Sequence, residues 1–207
     1  YFRLSVGVHD PLFARCLYLE DTEKNSLVII CLDLIFGGFK TCDELRAEIK
    51  KQLGIENTLV NFSHSHSSAS LGTRGHTEIS NDTDSKWNDA TLDKIIAIVK
   101  EAKKRAEPVS LRVGRAPVQV GFNRRLVNKQ NGHVYMGVNR KGPVVPWVNV
   151  LAADSIKSGK PIAVLYETAA HPVIVPDSSK LTSADFPGAA AQTIHKALGR
   201  DVVALFA

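Results

Sequence analysis

Two histidines separated by a single serine, His64 and His66 in the run SHSHSS, carry the strongest chemical signal in the chain. Side chains two apart in an extended segment face the same side, roughly 7 Å apart at Cα, so both imidazoles can serve one pocket. Neutral imidazole is a preferred zinc donor, and a catalytic zinc keeps one position for water. One ring of such a pair can ligate while its neighbour meets substrate. The motif is short, and a pair of loop histidines engaged in local capping is the plain alternative. His171, in AAHP, precedes Pro172, which disfavours helix at that point; taken alone it reads as a structural histidine. Asp33 closes an apolar run ahead of Gly37 and Gly38, and either works on a substrate or caps a turn. Arg124, in FNRR, could hold a carboxylate or a carbonyl oxygen through its planar guanidinium; it could equally be one of two surface arginines with Arg125. His76 sits in a Gly/Ser/Thr/Asp-rich stretch and reads as incidental, while His9, His133 and His195 receive no role.

These residues become more informative once the elements that carry them are drawn. Residues 13–20 and 27–32 are β-rich runs joined by a short polar link, as in a hairpin. Residues 41–54 show Leu45, Ile49 and Leu53 at helical spacing, with Thr41 as N-cap, Glu44 as its capping-box partner and Gly54 as stop. A strand over 58–62 follows, then a helix over 92–106 ended by Pro108. The aperiodic stretch 67–86 between them is long for a compact domain, and its place after the histidine pair suits a lid or rim. Residues 109–120 alternate like a strand interrupted by Pro117, and 132–149 suggest irregular hairpins. Residues 161–166 read as a buried strand, 184–198 as a helix entered through Pro187, and 202–206 as a last apolar strand.

Buried strands alternating with helices imply an α/β layered (α+β) domain, a mixed β-sheet flanked by helices. Three expected strands run into Asp33, into His64 and His66, and into His171. Open α/β sheets collect ligands beyond the carboxyl ends of their strands, so the metal site is expected there.

Composition excludes little but points one way. The 207 residues are 44% hydrophobic and 23% charged, ordinary values for a globular domain. No run reaches the roughly 18 apolar residues of a membrane-spanning helix. The +5 net charge leans on a cluster at 100–105, where cations suit the end of a helix, and no nucleic-acid motif accompanies it. Cys16, Cys31 and Cys42 match no zinc or redox spacing; Cys16 and Cys31 read as small core residues. The chain closes on an apolar strand without a following surface segment, and we expect the natural protein to continue.

Taken in order, DPLFARCLYLED, VIICLDL, NFSHSHSSA, FNRR, GKPIAVLYETAAHPV, SADFPG and VVALF resemble the N-terminal catalytic domain of the neutral/alkaline, non-lysosomal ceramidases. The resemblance runs over nearly the whole chain, taken as a single domain over 1–207 that is incomplete at both ends. It implies a zinc-dependent amidase that splits the N-acyl bond of ceramide into fatty acid and sphingoid amine. By the same resemblance His64 and His171 are zinc ligands, and His66 and Arg124 are catalytic and substrate-binding; Asp33, from its place at a strand end, is expected to bind substrate as well. The family's remaining ligands, a Glu and a Tyr, and its serine region have no counterpart here, and SHSHSSA stands where THTHSGP is usual. The implied partner is a lipid or other N-acyl small molecule, presented from a membrane surface, with no nucleic acid; the implied location is secreted or periplasmic. Two alternatives stay open, a hydrolase of another N-acyl or ester substrate and a binding module that keeps the fold without the reaction.

Overall fold

The structure, a computed structural model, describes residues 5–72, 82–176 and 178–207. His76 therefore lies outside the described residues. After the brief β1 (Gly7–Val8), the first half of the chain builds a three-stranded sheet. β2 (Ala14–Glu20) and β3 (Ser26–Leu32) form the antiparallel hairpin expected from sequence, with Glu20 opposite Ser26. Asp21 holds the turn by accepting the N–H groups of Glu23 and Asn25. α1 (Phe39–Leu53) carries the chain back, and β4 (Asn57–Phe62) pairs parallel to β3.

The end of α1 is the one expected: Gly54 is left-handed at φ 66° and its N–H returns to the Lys50 carbonyl. Its start is not. The helix begins at Phe39, its N-cap is Gly38, and no side chain caps it. Tertiary pairing sets this start, because Gly37 bridges Leu71 and the Gly38 N–H donates to the Leu71 carbonyl. α2 (Asp82–Lys104) likewise begins well ahead of the expected Leu92. Its first turns are polar, so no apolar stripe announces them. Of the stretch expected to be an aperiodic rim, residues 82–86 are thus helical and 73–81 lie outside the described residues.

The second half adds β5 (Val109–Pro117), β6 (Asn123–Val127), β7 (Val134–Asn139), β8 (Trp147–Ser155), β9 (Pro161–Thr168), β10 (Leu181–Thr182), α3 (Asp185–Leu198) and β11 (Val203–Phe206). Four of these form a second sheet in the order β11-β9-β8-β5, with β11 parallel to β9 and the other pairs antiparallel. β6 and β7 make a separate hairpin, and β1 pairs parallel with β10. β8 has no counterpart among the sequence-predicted strands. Pro143 and Pro146 just ahead of it blur its start.

The mixed, helix-flanked architecture holds, and the sheet is in fact two sheets stacked face to face. Alternation along each strand assigns the faces. Val28, Ile30 and Leu32 of β3 pack with Leu45 and Ile49 of α1 and with Ile95 and Val99 of α2. The opposite face of the same sheet offers Leu17 and Cys31, which meet Ala153, Ala163 and Leu205 of the second sheet. That sheet's outer face, with Tyr166, Ala204 and Phe206, packs against Ala191 and Phe186 of α3. The layers therefore run helix, sheet, sheet, helix. Between the sheets the Asn61 amide donates to the Phe206 carbonyl at 2.9 Å. All three cysteines are free thiols: Cys31 and Cys42 are buried and Cys16 is half-buried.

Candidate metal centre

β3 and β4 run parallel, so their carboxyl ends share one edge of the first sheet. Beyond β4 the chain turns sharply at His64, which adopts φ 64°. Left-handed backbone is uncommon for a residue with a Cβ, although His is among the types enriched there, and it costs on the order of 1 kcal/mol or more. Neighbours on both sides over-determine it. The His64 N–H donates to the Leu34 carbonyl, and its Nδ1 lies 2.7 Å from the Ile35 carbonyl. Because a carbonyl can only accept, Nδ1 carries the proton and Nε2 keeps a lone pair.

The next residues are sewn to the second sheet's loop. The His66 N–H donates to the Pro172 carbonyl, the buried Ser65 hydroxyl donates to the Ser183 carbonyl at 2.7 Å, and the Ser183 N–H donates to the Ser67 carbonyl. Asp10 reinforces the same loop by accepting the Ser183 hydroxyl and the Ala184 N–H. Asp185, also left-handed at φ 57°, accepts from the N–H groups of Val175 and Phe186.

The result is a cluster of three imidazoles. Ring centroids of His64 and His171 lie 4.8 Å apart, those of His64 and His66 5.0 Å, and those of His66 and His171 4.7 Å. Nε2 of His66 and Nε2 of His171 are hydrogen-bonded across 2.8 Å. On the far side of His171, Arg124 donates to Nδ1 at 3.0 Å. A guanidinium has only donors, so Nδ1 accepts and the neutral ring's proton sits on Nε2, directed to His66. The pKa of His171 is lowered, first by burial and then by Arg124 and the two neighbouring imidazoles. These causes favour the neutral ring, and Nε2 can ligate once its proton moves to Nδ1 and the Arg124 contact opens.

One possible donor atom from each histidine falls within a 4.8 Å circle, so the group could hold a metal ion. The fit is one of chemistry as well as spacing. Three imidazoles are a known donor set for a catalytic metal with one open position, and the carbonyl on His64 Nδ1 is the usual outer partner that fixes a ligating ring.

Sequence-expected residues are distributed unevenly around this centre. His64, His66, His171 and Arg124 converge on it. Asp33 sits elsewhere: it is 4% exposed, and its carboxylate accepts the Phe13 N–H at 3.0 Å and pairs with Arg15 at 2.9 Å. Burial raises its pKa against the opposing pull of Arg15. Its place is behind the site, anchoring the segment whose Leu34 and Ile35 carbonyls hold His64. Sequence reasoning gave no role to Asp10, Ser65, Ser183 or Asp185. The one available signal was an acid at 185 immediately before Phe-Pro at a helix start.

No protein-family model matches this chain, and no curated protein matches it in sequence. Solved structures do. The neutral ceramidase of Pseudomonas aeruginosa superposes with a TM-score of 0.75 at 21% identity, over 97% of this chain and 33% of that one. A ceramidase complexed with C2 superposes with a TM-score of 0.74, also at 21% identity, over 97% of this chain and 32% of that one. The chain spans about one third of the length of these relatives, and over nearly all of its own length it has the fold of the corresponding part of neutral ceramidase.

Proposed function

We propose that the protein is a zinc-dependent amidohydrolase that cleaves the N-acyl bond of ceramide or a similar lipid, releasing a fatty acid and a sphingoid amine. One observation carries the reading: His64, His66 and His171, from two different sheets, close to within ligand spacing on a ceramidase-like fold. His64, through Nε2, and His171 are the metal ligands in this proposal. A zinc ion, when bound, supplies Lewis acidity toward a carbonyl oxygen or a water molecule. His66 and Arg124 are the groups left for the reacting carbonyl. Arg124 offers several N–H donors beyond the one on His171, and a guanidinium suits the negative charge that grows on an amide oxygen during attack. His66 stands beside the same centre and can take or return a proton. Asp33 acts at a distance, by keeping the His64 segment in place. A secreted or periplasmic location belongs to the same proposal; no described helix is long and apolar enough to cross a membrane.

The test uses the full-length protein. Elemental analysis is expected to find zinc in the wild type and little in His64→Ala or His171→Ala. Arg124→Ala is expected to keep its metal and lose roughly 10²–10³ in turnover of an N-acyl sphingoid substrate, the usual effect of removing one oxyanion donor. Unchanged metal content in both histidine variants would end the proposal. Turnover of esters but not of amides would move it to a different acyl substrate.

A further inference from the structure

The β6–β7 hairpin belongs to neither main sheet. Arg125 pairs across to Met136 and Val127 to Val134, so these four side chains share one face, joined by Val138 two residues beyond Met136. That face is open: Val127 is 56% exposed, Val134 58%, Met136 77% and Val138 57%. A two-stranded ribbon gains nothing from an aliphatic face in water, and a clustered apolar face of this kind marks a surface for something else.

The charge around it narrows the choice. From residue 108 to 153 the sequence holds no Asp or Glu, while it holds Arg112, Arg115, Arg124, Arg125, Lys129, Arg140 and Lys141. Among the described residues Arg112 alone of these pairs with a carboxylate, that of Asp154. The occupant must therefore be anionic and apolar at once. Nucleic acid meets the first condition, but it stacks on aromatic faces and gives four aliphatic side chains nothing to enter. A lipid bilayer with anionic headgroups meets both conditions.

The hairpin is also continuous with the histidine cluster. Arg124, on its first strand, reaches His171. At its root a cavity of about 340 Å³ is lined by Val120, Phe122, Val144, Val145 and Ala169, the last only two residues from His171. We propose that the β6–β7 hairpin docks on an anionic lipid surface, with Met136, Val138, Val134 and Val127 in the interface and Arg125 and Lys129 at the headgroups. The docking stands independently of the hydrolase reading, because it needs neither metal nor turnover.

The experiment is vesicle co-sedimentation of the full-length protein, read without substrate. Phosphatidylcholine–phosphatidylglycerol vesicles are expected to bind it more tightly than phosphatidylcholine alone, and added salt to weaken that binding. Lys129→Gln is expected to weaken it roughly fivefold, the equivalent of about 1 kcal/mol for one cation at an anionic surface. Met136→Glu, at a side chain so exposed that folding is not at stake, is expected to weaken it at least as far. The new thiol of Met136→Cys should react freely with a maleimide in solution and be protected on the mixed vesicles. Equal binding to both vesicle types overturns the proposal, as does binding that ignores Met136→Glu. A thiol in Met136→Cys that is already protected in solution also overturns it, since the face is then covered by protein.

Discussion

His171 makes a definite claim about pH. Burial, Arg124, His66 and His64 all press its pKa below the ordinary imidazole value, which is about 6.5 in an unfolded chain. Between the lowered folded value and about 6.5 the unfolded chain binds the proton more readily, so stability rises with pH in that window. The contribution is fully present above about pH 6.5 and is lost as pH falls towards the folded value. With a chelator present to remove metal linkage, the urea midpoint should fall on acidification, and should fall less steeply in His171→Gln. Parallel slopes for the two proteins would show that His171 is not the titrating group. The chemistry at this scale was largely readable from residue types. An HxH pair in a serine-rich run after a strand, and a His-Pro flanked by apolar residues, are patterns that can be noticed. For Asp33, sequence shows that an acid ends a strand but not what it meets; its partner Arg15 lies eighteen positions earlier. Asp10 and Ser183 were invisible for the same reason, since their bond spans 173 positions.

Elements place the histidines through a few close approaches of backbone. Gly37 is one of the tightest: a Cβ there would stand 2.2 Å from Cζ of Phe62, the last residue of β4 and two before His64. Gly37→Ala must displace that ring, an overpacking that costs typically about 1–3 kcal/mol. The displacement falls on the strand end that aims the His64–His66 pair, so metal affinity should drop along with the urea midpoint. Gly114→Ala is the control, because a Cβ in that β5 position meets nothing; it should change stability by no more than about 0.5 kcal/mol and leave the metal untouched. Equal effects from the two substitutions would remove the role given to the Gly37–Phe62 contact. Elements with a clear apolar rhythm were legible, as β2, β3, β4 and α3 show. The start of α1 was not, because a bridge to Leu71 outweighs a favourable Thr-x-x-Glu pattern. The first turns of α2 were hidden by a polar sequence that propensity alone does not mark as helix.

At the scale of the whole molecule, the centre depends on two sheets staying in register. His64 and His66 extend from β4 of one sheet, and His171 from the loop after β9 of the other. What joins the sheets is a layer with Cys31, Ala153 and Ala163 beside Leu17 and Leu205, edged by the partly buried Leu19, Ile29, Val109, Ile162 and Leu165; Leu205 is its one fully buried large residue. The small residues let the two faces approach closely, and Leu205 is the large side chain fully enclosed between them. Sequence periodicity could not reveal this layer, because it reports that a strand is buried on both faces without saying whether sheet or helix covers each. Leu205→Ala should cost about 2–5 kcal/mol, as for a large-to-small change in a rigid core. Its signature is the coupling. A cavity between the sheets loosens the relation of His171 to His64 and His66, so metal affinity should fall although no ligand has been touched. Ile49→Ala, in the helix-covered core of the first sheet, removes a similarly buried side chain of comparable size and should cost a similar amount while sparing the metal. Equal losses of metal in the two variants would mean that the centre depends on overall stability rather than on the contact between the sheets.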